Sequence, residues 1–237
     1  MDYQSFCQKY QPSNQELFTE FYLFFKDKFS VKNERIAVEK LSKIIAATFK
    51  LSASQSFANM SLRQLSKESG LSMGGMYAYI QNKQQLSLFI HEFLSYFVIK
   101  TINQVTNEKE CNTLACIIKT HIYLSEFLQQ WFFFAFMESK NLSRDEKKAA
   151  IQSDLLMESK LIEVIKMGQE QEVYSTILKA ETVASLTKPL LSEWYLKRWK
   201  YKKRGMSIDE YCSAVMIFIE RGLTSPHSLS EFENHEQ

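Results

Sequence analysis

The sequence is short of the punctuation that sheets require, with six glycines and three prolines in 237 residues. Strands need turns at close intervals, so this scarcity disfavours a sandwich, a barrel or a doubly wound sheet and favours long helices with short connections. Cysteine is sparse as well. Cys7, Cys111, Cys116 and Cys212 form no CxxC pair and no zinc-type spacing, and the five-residue step from Cys111 to Cys116 leaves a common helical stripe. They read as buried, reduced thiols. Four scattered histidines make no HExxH-type cluster, so neither a metal nor a cofactor is expected. A P-loop, a GxSxG elbow and a framed carboxylate pair are all missing, which argues against an enzyme. The start Met1-Asp2-Tyr3 is not a basic region leading into an apolar run, so no signal peptide is expected. The most apolar run, residues 131–137, falls far short of the ~20 residues that span a bilayer. A cytoplasmic protein without a membrane partner is the expectation.

What is abundant is aromatic. Phe, Tyr and Trp make up 14% of the chain, with 18 Phe and 11 Tyr, and hydrophobic residues reach 45%. A large core is within reach. The net charge of +2 conceals an uneven spread. Residues 32–100 carry nine basic side chains against four glutamates, while the segments on either side are slightly acidic. A modestly basic stretch on a neutral body suits nucleic acid, although an excess of this size is also what a solvated surface looks like.

Residues 1–31 form a leader helix. Ser13 with Glu16 makes a capping box, and Phe18, Phe21, Phe25 and Phe29 recur at helical spacing. The opposite side mixes Glu20, Lys26, Asp27 and Lys28 rather than presenting the cations of a membrane-surface helix. A helix is expected over 33–51, then a short one capped by Ser61 that stops at Gly70, another capped by Ser72, and a long one capped by Asn82. Two short helices around a glycine turn make a helix-turn-helix. Beyond residue 106, helices are expected near 112–123, 125–139, 143–171, 175–203 and 207–222. Capping boxes at Ser143 and Ser207 and a kink at Pro189 belong to that pattern. The tail from Thr224 reads as frayed.

Residues 60–83 run MSLRQLSKESGLSMGGMYAYIQNK. Met60-Ser61 at a helix start, Leu65-Ser66, the turn Ser69-Gly70-Leu71-Ser72, then Gly74-Gly75-Met76-Tyr77, Tyr79-Ile80 and Asn82-Lys83 follow one another in order. This stretch resembles the DNA-binding signature of the tetracycline-repressor (TetR/AcrR) family. There the same places hold a Thr-rich start, Ile-Ala, Ala-Gly-Val-Ser, Gly-Thr-Leu-Tyr, an aromatic pair and Ser-Lys. Gly75 departs from the family's Thr and loses a hydroxyl contact. A weaker likeness covers 166–173, KMGQEQEV, where Gln and Val stand for the later Gly and Phe of the family's Gly-x-x-x-Gly-x-Phe helix end. The leader has no counterpart in the usual pattern.

The resemblance implies an all-α chain, with an N-terminal three-helix helix-turn-helix domain followed by a helical ligand-binding and dimerisation domain. The boundaries expected are a leader at 1–31, the DNA-binding domain at 32–81, the ligand and dimer domain at 82–223 and a flexible tail at 224–237. It implies phosphate contacts from Ser61, Ser72, Tyr77 and Lys83, and base-edge contacts from Met73, Ala78 and Arg63. An ordinary surface arginine is an equal reading of Arg63. Physics adds its own argument for Gly74 and Gly75. Glycine in a helix costs about 1 kcal/mol against alanine, and two in a row make sense where a backbone must approach DNA closely. A short helix held by its neighbours would tolerate them too.

Two further constellations belong to the body. Residues 127–136, FLQQWFFFAF, are aromatic nearly all round a helix, which signals burial on every side. Either this is plain core, or some rings line a cavity for a mostly apolar effector, with His121, Tyr123, Trp131, Phe134 and Met157 as the candidates. The last long helices stand where the family builds its four-helix dimer interface, for which Leu191, Trp194, Val215, Met216 and Ile219 offer apolar surface. The basic run 197–204 ends a helix and reads as a solvated terminus. The function expected is a homodimeric repressor of a palindromic double-stranded DNA operator, released by a small apolar effector. The alternative is a DNA-binding architectural or cell-cycle protein on the same fold, controlled by a protein partner.

Overall fold

The computed structural model describes residues 1–108, 114–138 and 144–223. Among them the chain is helical, with no strand. In order come α1 (Tyr3–Tyr10), α2 (Asn14–Phe24), α3 (Glu34–Ser52), α4 (Leu62–Ser69), α5 (Met73–Tyr77), α6 (Lys83–Thr106), α7 (Leu114–Phe127), α8 (Gln129–Glu138), α9 (Arg144–Glu170), α10 (Ala180–Leu196), α11 (Arg198–Lys203) and α12 (Ile208–Leu223). Single 3-10 turns sit at Lys26–Lys28 and Phe57–Asn59. The expected box at Ser143, Cys111 and the tail from Thr224 lie outside the described residues. No described helix is long and apolar enough to cross a membrane.

The chain forms two compact units. One holds Lys9–Phe97 and Gln130–Ser153; the other holds Met1–Gln8, Val98–Gln129 and the chain from Asp154 on. The expected DNA-binding segment therefore lies within a larger unit that also takes in α2, the first half of α6 and most of α8.

The leader is two helices and a turn rather than one helix, and only α2 and the turn lie wholly in that first unit. Ser13 caps α2 with Glu16 in a reciprocal box, as its sequence dictates, and the helix ends at Phe25. Phe29 then lies in extended backbone after the 3-10 turn, yet stays buried. α2 and α4 both pack on α3. A continuous set of rings fills the space between: Phe21 meets Phe93 edge-on at 4.9 Å and Trp131 at 5.9 Å, and Phe49 meets Trp131 at 5.3 Å and Phe134 at 5.7 Å. Offset and edge-to-face pairs of this kind add about 0.5–1.5 kcal/mol each to the burial of their area. The phenylalanine repeat thus docks the leader onto its own chain.

In the second unit α7 packs on α10 and α12. The helix expected over 175–203 runs through Pro189 and breaks two turns later at Lys197 into α10 and α11. Trp194 donates its indole N–H to Glu126 at 2.8 Å, and Arg198 pairs with the same carboxylate. Lys200 pairs with Glu193. Part of the basic run is therefore spent on pairs within the chain, while Lys202, Lys203 and Arg204 stay exposed. The first helix joins this unit at its far end: the Tyr3 backbone N–H donates to Asp209 Oδ1 at 3.0 Å, and the Tyr123 hydroxyl donates to the same atom at 2.5 Å. Cys7 and Cys212 are free thiols, but Cys116 is in a disulfide, which corrects the expectation of reduced thiols throughout.

α9 ends as the weaker part of the motif implies, with a substitution. Glu172 takes φ +60, the left-handed conformation that glycine usually supplies. Gly168 is obligatory there, since a Cβ on it would meet the Tyr174 ring at 2.2 Å. Counted from Gly168, Glu172 and Tyr174 hold the places of the motif's later Gly and Phe, which corrects their assignment to Gln171 and Val173.

Candidate nucleic-acid interface

α4 is eight residues long and α5 five, too short to persist on propensity, so their ends must be held. Ser61 caps α4, and Gln64 completes a reciprocal box by accepting from the Ser61 N–H at 2.8 Å. Gly70 closes the helix at φ +71, a conformation that favours glycine. The Ser66 hydroxyl donates to the Leu71 carbonyl at 2.5 Å and fixes the turn. Ser72 then accepts from the Gly75 N–H at 3.1 Å to start α5, and Asn82 accepts from the Gln85 N–H at 2.8 Å to start α6. Every cap expected at Ser61, Gly70, Ser72 and Asn82 is in place.

The inner face is apolar. Leu65, Leu71, Met76, Tyr79 and Ile80 are buried, so the aromatic pair of the motif is core, as expected. Burial, and to a lesser degree Tyr22 and Glu39, raises the Tyr79 hydroxyl above its ordinary value. The outer face keeps the residues expected to touch DNA. Ser61, Arg63, Ser72, Gly74 and Tyr77 are exposed, and Met73, Gly75, Ala78 and Lys83 are half-buried. Tyr77 leaves 55% of its surface in solvent, although Met76 before it is buried.

The glycines bear on what this face is for. Neither Gly74 nor Gly75 has a positive φ. A Cβ at Gly74 would meet nothing within 4 Å, and at Gly75 the nearest atom is the Ser72 hydroxyl at 3.4 Å. Alanine fits the backbone and the space at both places. Lys83 supports the fold as well as carrying charge. Its ammonium donates to the Phe57 carbonyl at 3.1 Å and also to the Ala58 carbonyl, holding the turn that leads into α4. Two of its three N–H groups are engaged in this way.

The sequence did not reveal what holds the far end of α5. The Ser30 N–H and hydroxyl both donate to the Ala78 carbonyl, at 3.2 and 3.1 Å. Beside them Phe29 packs edge-on to Tyr79 at 5.8 Å. A tie across 48 residues leaves no local spacing to find.

The five residues expected to line an effector site are all buried but divide between the units. Trp131 and Phe134 lie in the ring set of the first unit, against Phe18, Phe21, Phe49, Phe57 and Phe93. His121, Tyr123 and Met157 lie in the second. Burial, with a smaller contribution from nearby Lys188, pushes the His121 imidazole down to about 3, so it is neutral at pH 7. The Tyr123 hydroxyl is raised by burial and by its hydrogen bond to Asp209. The five residues expected to offer a dimer surface, Leu191, Trp194, Val215, Met216 and Ile219, are each at most 7% exposed. They face the core of their own chain. The exposed apolar residues on the same helices are Leu186 on α10 and Ile217 and Phe218 on α12.

No protein-family model matches the sequence, and no curated protein does. Solved structures do match in fold. A tetR-family regulatory protein from Rhodococcus RHA1 superposes with a TM-score of 0.67 at 13% identity, covering 77% of this chain and 95% of its own. The MbdR regulator from Azoarcus sp. CIB gives 0.66 at 15% identity, covering 78% and 100%. A protein described as the superantigen pfit gives 0.62 at 13% identity, covering 88% and 100%. At such identities a match speaks for architecture alone. The helix-turn-helix with its helical body, all α among the described residues, is the fold of these tetR-family regulators.

Proposed function

We propose that the chain is a DNA-binding transcriptional regulator that reads duplex DNA with α5. One observation carries this reading. Two adjacent glycines cost the helix about 1 kcal/mol each against alanine, and no neighbour in the chain occupies the space that a methyl group would take at Gly74. A cost without return inside the molecule points to close approach by something outside it. For a short exposed helix flanked by Ser72, Tyr77 and Lys83, that something is the wall of a major groove. Ser61, Ser72, Tyr77 and Lys83 hold phosphates, and Met73, Ala78 and Arg63 meet base edges. Lys83 contributes its charge and its remaining N–H.

The test is a salt titration on a duplex selected from a random-sequence library. Lys83→Ala lowers the slope of log affinity against log salt by about one per subunit, while Met73→Ala changes the preferred bases and leaves the slope alone. Failure of the wild-type chain to bind any duplex overturns the reading, and identical behaviour of the two variants overturns the division of roles.

The finer reading is a homodimeric repressor of a palindromic operator, with 32–81 reading DNA and 82–223 carrying effector and partner subunit. Its isologous surface is Leu186, Ile217 and Phe218 rather than their buried neighbours. A mostly apolar effector suits the second unit, where neutral His121 serves as the polar handle beside Tyr123 and Met157. Native mass spectrometry of freshly purified protein tests dimer and retained ligand together. The second reading gives control to a protein partner. It is favoured by Phe133, Phe136 and Met137, which form one exposed stripe on α8.

A further inference from the structure

α5 has few means of its own to hold its position. It is five residues long, and two of them are glycines. Its N-terminal end is fixed by Ser72 and its middle by the buried Met76. At its C-terminal end the Met76 carbonyl accepts from the Tyr79 and Ile80 amides, both at 3.0 Å, and the Ala78 carbonyl would otherwise be one of the orphan acceptors that every helix end leaves. The leader supplies the missing donors. Ser30 gives that single oxygen both its backbone N–H and its hydroxyl.

Ser30 is itself held firmly. Phe29, buried beside it, packs against Phe89 at 5.7 Å and stacks on Tyr22 at 6.0 Å. The Tyr22 hydroxyl is 3.2 Å from both the Val31 and the Lys32 carbonyls, which fixes the chain on the far side of Ser30. The segment is thus rigid where it meets α5.

We propose that Ser30 is a positioning residue of the DNA-reading helix: the leader caps the C-terminal end of α5 through the Ala78 carbonyl and sets the angle at which Met73 and Ala78 meet base edges. The inference rests on the DNA-reading function proposed above and adds the leader to its machinery. Ser30 touches no base. It acts through α5, so its loss disturbs the reading of sequence and spares the phosphate grip.

The test uses the full chain and three variants. Ser30→Ala removes the hydroxyl, Ser30→Thr keeps both donors, and Ser30→Pro removes both. The proline is compatible with what precedes it, since Phe29 already has the extended backbone (φ −100, ψ 138) that the residue before a proline adopts. Each variant is titrated against a duplex selected by the wild type from a random library and against an unselected duplex, over a range of salt. The ratio of the two affinities falls about five-fold in Ser30→Ala, the weight of one hydrogen bond, and further in Ser30→Pro, while Ser30→Thr keeps it. The salt slope stays that of the wild type in all three. Amide exchange at Tyr79 and Ile80 quickens about ten-fold in Ser30→Pro. An unchanged ratio in Ser30→Pro overturns the positioning role and leaves the DNA-reading function standing. A uniform loss on both duplexes, in step with a lower unfolding midpoint, also overturns it, because Ser30 would then serve the fold alone. A wild type that binds neither duplex overturns the inference together with the function beneath it.

Discussion

The α4–α5 hairpin and the α10–α12 region relate to their sequences in opposite ways. In the hairpin, the residues expected to touch DNA are exposed or half-buried and none is in the core, because caps and a glycine turn fix each short helix at both ends. In α10 and α12 the residues expected at a subunit surface are the ones turned into the core. A long helix rich in apolar residues on two sides shows its periodicity plainly, yet periodicity does not say which stripe faces home. Leu191 and Leu186, or Ile219 and Phe218, are equivalent to a pattern and opposite in burial.

The sharpest way to break that contrast is a pair of substitutions on α12. Ile219→Asp puts a charge in the core of the chain and costs more than about 4 kcal/mol, read as a lower denaturant midpoint. Phe218→Asp, at a position 71% exposed, leaves the unfolding midpoint within about 0.5 kcal/mol and, on the dimer proposed above, shifts the species to monomer in sedimentation. Equal effects from the two would erase the distinction between inner and outer stripe.

Next in size is Trp131→Ala. With rings from Phe18, Phe21, Phe49 and Phe93 around it, truncation opens a cavity and costs about 3–5 kcal/mol in chemical unfolding. A small loss would mean that this ring set is looser than a core and open to a ligand.

The body also holds a buried titratable group. His121 has its folded value pushed down to about 3, below the unfolded value near 6.5, so the unfolded state binds its proton first. Stability from this group is full above about pH 6.5 and is lost as pH falls towards about 3, by up to ~1.4 kcal/mol per pH unit. His121→Gln should flatten that limb of the stability–pH curve, and a curve of unchanged slope would show that the imidazole is hydrated.

Gly74→Ala is the matching test of the hairpin. It raises stability by about 0.5–1 kcal/mol while weakening duplex binding, two opposite signs from one methyl group. A variant both more stable and equally tight would remove the case for close approach. The smallest effect is expected at the end of α9. Glu172→Gly relieves a left-handed glutamate and stabilises by up to about 1 kcal/mol in thermal unfolding.

The caps, the glycine turn, the small core around Tyr79 and Ile80 and the outward Tyr77 were legible in the sequence, because each is decided within four residues of itself. The docking of the leader was legible as a tendency, from its phenylalanine repeat. Its division into α1 and α2 was not, nor was the tie from Ser30 to Ala78, since partners so far apart in sequence share no period. Lys83 was legible as a cation beside the motif, but its hold on the Phe57 and Ala58 carbonyls depends on a turn whose shape the sequence leaves open. The same limit separates Trp131 and Phe134 from His121, Tyr123 and Met157: neighbours by composition, they belong to different units.

The bond from the Tyr3 amide to Asp209 joins residues 206 apart. During synthesis at ~5–20 residues per second, the first helix therefore waits on the order of 10–40 s before its acceptor exists. Ser30 and Ala78, only 48 residues apart, meet much sooner. The contact between the leader and α5 can thus settle on the ribosome while α1, with Phe6 uncovered, stays a ready target for chaperones until α12 emerges.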